Sequence, residues 1–203
     1  MLRGAVSRTK SLLTLDRFEV VEKDAFVLAS DGRKANITRQ GLSTGPAVSI
    51  LPYVRNPKSS DWHVVLVSEF RPMVDEIDLE APGGLIEPNL GPEEQMVKVL
   101  IDETNLTVAQ NLIKIVGIKW KANSFSDQKV WLGTIEIVTD DLERFKKNLR
   151  GRSNPEGELE MTEVEIIPLL YLLKNRHFKL NSDLTSYQII ELALSLGLIK
   201  FSE

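Results

Sequence analysis

The sequence predicts an α+β fold, with strands dominating the first two thirds of the chain and helices its end. Three observations lead there. Short β-branched runs such as AVSILPYV and VVLVSEF recur between polar turns, the pattern of buried strands. A Pro-Gly-Gly break is followed by Gly-Pro-Glu-Glu and an amphipathic stretch, which marks one central helix. The last segment carries helical spacing that Gly197 stops. At 203 residues, 42% hydrophobic and 27% charged, the chain can build one sizeable core with a small extra element.

Taken in order, residues 20–28 and 34–38 read as a hairpin joined by Ser30, Asp31 and Gly32. Residues 47–54 and 63–69 form the next pair, separated by the polar turn RNPKSSD. Pro82, Gly83 and Gly84 break the chain, and Gly91 with Pro92 opens a helix that carries Glu93 and Glu94 in its first turn. Proline at the first helical position and acids beside it both favour that start. Residues 112–120 and 129–138 are strands, and Thr139 is expected to cap a short helix through Asn148. RGRSNPEGELE then behaves as a long loop, 164–167 as a last strand, Pro168 as a helix opener and 184–196 as the closing helix. No internal repeat is visible. The expected layout is a basic extension over 1–16, an N-terminal β-hairpin over 17–45 and a main domain over 46–203.

Composition removes several functions. A net charge of −4 argues against general nucleic-acid binding driven by phosphate contacts. Zero cysteines exclude disulfides, thiol catalysis and Cys-ligated zinc. No apolar run reaches transmembrane length, so no membrane partner is expected. The first 15 residues carry Arg3, Arg8 and Lys10, several hydroxyls and no acid. That pattern is similar to a mitochondrial transit peptide, with a basic arm of no targeting role as the other reading, so the expected location is cytoplasmic or mitochondrial. The basic set Arg144, Lys146, Lys147, Arg150 and Arg152 is diluted by Asp140, Asp141 and Glu143 and reads as a solvated helix face.

The chemistry concentrates in residues 83–106, GGLIEPNLGPEEQMVKVLIDETNL. On the central helix Val99, Asp102 and Glu103 are spaced three and four apart and share one face, with Met96, Leu100 and Ile101 expected on the side held against the core. This segment resembles a Nudix box, GX5EX7REUXEEXGU with U aliphatic. Gly84, Leu100, Glu103 and Leu106 fit that pattern, and Lys98 and Asp102 are conservative replacements. Leu90 and Val99 each stand in place of a glutamate, and Asn105 in place of a glycine. Asparagine can take the left-handed helix-ending conformation, so that last change is mild.

The flanks narrow the resemblance to the ADP-ribose and ADP-sugar pyrophosphatases of the Nudix hydrolase superfamily. Phe70, Arg71, Pro72, Glu80 and Pro82 occupy positions of that subfamily's segment before the box, and Ser126, Asp127 and Gln128 those of a later loop. The resemblance implies a Nudix fold, an α/β/α sandwich with a mixed sheet, preceded by the hairpin. It also implies a homodimer in which the hairpin swaps between chains. It places a magnesium or manganese ion at the Gly83 carbonyl, Asp102 and Glu103, and substrate contacts at Arg71, Glu80, Ser126 and Asp127. Glu160, with Glu158 beside it, falls on the loop that carries the general base, which with Glu103 would serve catalysis by deprotonating a water that attacks a diphosphate.

Two departures weigh against that reaction. Magnesium takes oxygen ligands, and Val99 offers none. Loss even of an outer-shell partner typically lowers metal affinity or activity roughly 10- to 100-fold. The subfamily's adenine-stacking aromatic falls at Ile37, and no Trp, Tyr or Phe lies between Phe26 and Tyr53. Two functions are therefore expected: a degenerate, non-catalytic or weakly active Nudix-fold protein that binds a nucleoside diphosphate sugar or serves a protein assembly, and a magnesium-dependent hydrolase of ADP-ribose or a related nucleoside diphosphate sugar. Arg71 has a structural reading too, as an ion-pair partner of Asp75 or Glu80.

Overall fold

The computed structural model describes residues 3–15, 18–71, 73, 75–122, 124–151, 162–175 and 183–199. The chain divides into two compact units, Met1–Pro46 with Trp120–Val130, and Ala47–Lys119 with Trp131–Glu203.

In the first unit, β1 (Arg3–Thr14), β2 (Glu19–Leu28) and β3 (Lys34–Ser43) form an antiparallel sheet in that order. The hairpin is thus one strand larger than expected, because the basic N-terminal segment is itself a strand. Its charge explains the fit: Arg8 donates to the Asp24 carboxylate at 2.7 Å and reaches Glu22 at 3.5 Å on the neighbouring strand. β3 also runs five residues past the expected end at 38, since Gly41 and Leu42 still pair with Val21 and Val20. The turn glycine Gly32 has φ 86°, a conformation that favours glycine.

In the second unit, the sheet order is β10-β5-β4-β9-β8, from β4 (Ala47–Arg55), β5 (Trp62–Arg71), β8 (Lys114–Trp120), β9 (Lys129–Ile137) and β10 (Thr162–Pro168). Two short strands join it, β6 (Glu76–Glu80) on β5 and β7 (Gly83–Leu85) on β4. Neither was expected, as both are short and β7 is two-thirds glycine. Helices α1 (Pro92–Thr104), α2 (Leu142–Asn148), α3 (Leu169–Lys174) and α4 (Asp183–Ser195) complete the unit.

β4 explains why its sequence is apolar without alternation. Successive side chains of a strand point to opposite faces. Val48 and Ile50 join Met96, Val99 and Leu100 of α1, while Leu51 and Tyr53 join Leu169, Leu172, Ile189 and Leu192 of α3 and α4. Both faces are covered, so both parities are apolar. The helices therefore sit on either side of the sheet, and the architecture is α+β with two apolar layers.

Three boundaries differ from the sequence reading. Leu112 closes a 3-10 turn, Gln110–Leu112, so β8 begins at Lys114. Asp141, not Thr139, caps α2, its Oδ1 accepting from the N–H groups of Glu143 at 2.9 Å and Arg144 at 3.1 Å. Thr139 instead accepts from the Asp141 N–H at 3.2 Å, one step before the helix. Pro168 is the N-cap of α3 and the last residue of β10.

Candidate functional site

The box begins as a close-packed turn. A Cβ on Gly83 would lie 2.8 Å from the Val48 carbonyl oxygen, so β7 can approach β4 this tightly only with glycine there. Gly91 caps α1 and donates its N–H to the Glu94 carboxylate at 2.8 Å, and Pro92 takes the first helical position. At the other end Asn105 adopts φ 60°, ψ 24°, and the Leu106 N–H donates to the Leu100 carbonyl at 3.1 Å, a left-handed cap closing the helix. The loop-plus-helix element expected from the sequence is intact.

The helix faces divide differently from the expectation. Val99 is buried beside Met96 and Leu100, and its Cγ2 lies 3.6 Å from where a Gly84 Cβ would stand. Ile101, expected on the core side, is 43% exposed, and Asp102 beside it is exposed. The reason is rotation: with Met96 and Leu100 inward, a 100° step sends position 101 outward, while 99 stays at the edge of the buried stripe.

Several ionic groups of this segment and of the strands before it are engaged internally. Glu103 accepts from the Gly83 N–H at 3.2 Å, tying the helix to the turn. Lys98 pairs with Glu87. Glu87 also donates its own N–H to the Gln95 side chain at 3.0 Å. Arg71 pairs with Glu80, its Nε donating at 2.8 Å, and its Nη1 donates to Glu69 at 2.9 Å. Glu69 was not singled out in the sequence; an acid two residues before an arginine on one strand lies on the same face, which is the available signal.

Ser126 and Asp127 belong to the first unit, where they lie against β3 of the N-terminal sheet. Asp127 pairs with Lys23 at 2.6 Å and accepts from Ser43 at 3.1 Å, while its N–H donates to the Leu42 carbonyl at 3.1 Å. Ser126 accepts from the Gln128 N–H at 3.2 Å. Ile37 sits in β3 opposite Ala25. Glu158, Glu160 and Pro72 lie outside the described residues.

Among the described residues, no three acid or histidine side chains gather as a group that could hold a metal ion. Val99 has no lone pair, so on this helix face the Asp102 and Glu103 carboxylates, with the Gly83 carbonyl, are the groups that would hold a hard cation, and Glu103 already accepts the Gly83 N–H. A separate cleft of about 280 Å³ is lined by Arg55, Asn56, Ser60, Glu136 and Thr139. Burial, and then the nearby Glu136 carboxylate, push the Tyr53 hydroxyl above its ordinary pKa.

Behind the box, a buried polar cluster escaped the sequence reading. The Gln188 side chain, fully buried on α4, accepts from Ser49 Oγ at 2.9 Å and donates to the carbonyls of Ser49 and Gly133 at 3.1 and 3.0 Å. Thr185 Oγ1 accepts from the Ala81 N–H at 3.0 Å, one residue before the Pro82–Gly83 turn.

A crystal structure described as that of an ADP compounds hydrolase superposes on this chain with a TM-score of 0.63, 18% sequence identity and 97% of each chain covered. The fold is Nudix-like. No protein-family model matches the sequence, and no curated protein matches it. At that identity the likeness extends to the fold alone.

Proposed function

We propose that this chain is a Nudix-fold protein related to the ADP-sugar pyrophosphatases, non-catalytic or weakly active, that serves as a ligand-binding or scaffold subunit. The observation that carries this reading is Val99: the position where the resembled family holds a metal-binding glutamate is 5% exposed and packed among Val48, Ile50, Met96 and Leu100. The side chain at this position serves the core, where a glutamate would set a carboxylate among apolar neighbours. The internal pairing of Glu103, Lys98 and Arg71 supports the same reading, since each holds the scaffold together.

The other reading is a magnesium- or manganese-dependent hydrolase cleaving ADP-ribose or another nucleoside diphosphate sugar to a nucleoside monophosphate and a sugar phosphate. It draws on the likeness to the ADP compounds hydrolase and on Asp102 and Glu103 standing on α1 beside the Gly83 turn. Arg71 and Glu80 would then meet the diphosphate, and Glu160 would act as base.

Incubation of the purified protein with ADP-ribose and Mg2+ or Mn2+, with AMP quantified, separates the two. The expected result is no AMP above the uncatalysed background. Robust, metal-dependent release by the unmodified chain would overturn the proposal. A Val99→Glu variant that alone gains activity identifies the missing ligand as the cause. A rise in Tm with ADP-ribose, without AMP, assigns a ligand-binding role, and no rise assigns the scaffold role.

A further inference from the structure

The cleft between the β4–β5 turn and the end of β9 holds about 280 Å³, and its walls include Arg55, Asn56, Pro57, Ser60, Glu136 and Val138. That volume is just below the roughly 300–1,000 Å³ of pockets that enclose drug-sized ligands, so it suits a smaller molecule. Strand alternation explains why two opposite charges meet there. In β4, Leu51 and Tyr53 pack with α3 and α4, so Arg55, two residues on, leaves the sheet on that side. In β9, Ile135 and Ile137 pack with α1, so Glu136 between them leaves on the side of Arg55. β4 and β9 are neighbours in the sheet.

The guanidinium is held in place by the protein itself. Its Nε donates to the Ser60 carbonyl at 3.2 Å, and its Cζ lies 5.7 Å from the Trp62 ring centroid, within cation–π range. The turn supplying that carbonyl is fixed in turn: the Ser60 N–H donates to the Asn56 carbonyl at 2.8 Å, and the Asn56 N–H to the Asp61 carbonyl at 2.8 Å. Ser60 has φ 63°, a sparsely populated conformation for a residue other than glycine. These contacts use one guanidinium N–H and leave the paired Nη end, the geometry that takes a carboxylate bidentately. Glu136 stands exposed, with the Tyr53 hydroxyl beside it. Arg71, Lys98, Arg144 and Lys146 of the same unit each pair with a carboxylate of the chain. Among the described residues, Arg55 and Glu136 form no ion pair, with each other or with a third residue.

We propose that this cleft binds a free α-amino acid, its carboxylate on the Arg55 guanidinium and its ammonium on the Glu136 carboxylate. The separated charges select that class. A lone anion would meet Glu136 and a lone cation would meet Arg55, whereas a zwitterion satisfies both. Pro57 and Val138, the latter 91% exposed, offer apolar surface to an aliphatic side chain. Neither charged residue belongs to the box, so the outcome with ADP-ribose does not bear on this site.

Isothermal titration of the full chain with L-valine tests the proposal, and saturable binding is expected. N-acetyl-L-valine, which lacks the ammonium, and L-valinamide, which lacks the carboxylate, should each bind the unmodified chain at least tenfold more weakly. Glu136→Gln, a change of the same shape at an exposed position, should weaken L-valine at least tenfold without weakening N-acetyl-L-valine. Arg55→Met should weaken L-valine to a similar degree. The proposal is overturned if no aliphatic amino acid binds at millimolar concentration, or if affinity is indifferent to Glu136→Gln or to the loss of either ligand charge. Inorganic phosphate binding as tightly as L-valine would mark a plain anion site and overturn it equally.

Discussion

Asn105 shows at the scale of one residue how a difference from the resembled pattern can be accommodated. Its backbone occupies the left-handed region that the pattern's glycine would occupy, and its side-chain amide adds a bond to the Asn148 carbonyl at 3.2 Å. Replacement by alanine, which has no compensating local hydrogen bond at positive φ, should cost about 1–2 kcal/mol by urea unfolding. Replacement by glycine should cost less than half of that, because φ is then unstrained. Val99 is the opposite case. Its polarity was legible in the sequence, but its commitment to the core was not, since whether 99 lies inside or beside the apolar stripe depends on which way α1 is rotated against β4.

At the scale of elements, the caps control what forms. Asp141 holds two N–H groups of α2, and the Arg144 N–H, then the Glu143 N–H and the charges of Lys58 and Arg144, hold its carboxyl below the ordinary value of 3.8. A depressed folded pKa contributes stability that is present above the unfolded value and lost as pH falls through the folded one. The destabilisation caused by Asp141→Ala should therefore be full at pH 7 and should shrink below about pH 3.8, as the part that depends on the carboxylate charge is lost. Asp141→Asn, which keeps the acceptor, should restore much of the stability at neutral pH. Denaturant melts at a series of pH values measure both, and an undiminished Asp141→Ala effect under acid would refute the assignment. Asp24, held down by the Thr38 hydroxyl and then by Arg8, adds an acid-sensitive contact to the β1–β2 pair. That strand had looked like a basic tail because its partners, Glu22 and Asp24, are on another strand.

On the scale of the whole molecule, Gln188 is the residue to remove. It reaches Ser49 across 139 positions of sequence and joins α4 to β4 and β9 in one buried contact set. Gln188→Leu keeps the bulk and leaves the Ser49 and Gly133 carbonyls without their donor, so unfolding free energy should fall by on the order of 3 kcal/mol. Thermal and urea unfolding check this, and an unchanged Tm would show that the bonds contribute nothing net. Two polar residues in otherwise apolar segments were visible from the start, yet only folding pairs them.

The sequence by itself determined what rests on neighbours along the chain: the apolar runs of β4 and β5, the Pro-Gly-Gly break, the Gly91–Pro92 start and Asn105 end of α1, and the stop at Gly197. Each depends on backbone preference and side-chain periodicity within a few residues, so each can be read locally. The tertiary structure alone decided which partners the charged and polar groups take. Glu87 went to Lys98, Glu69 joined Glu80 on Arg71, Asp127 went to Lys23, and Val99 went to the core. Those outcomes depend on contacts between segments far apart in sequence, where a side chain's role is set by whatever the fold places within a few ångströms of it.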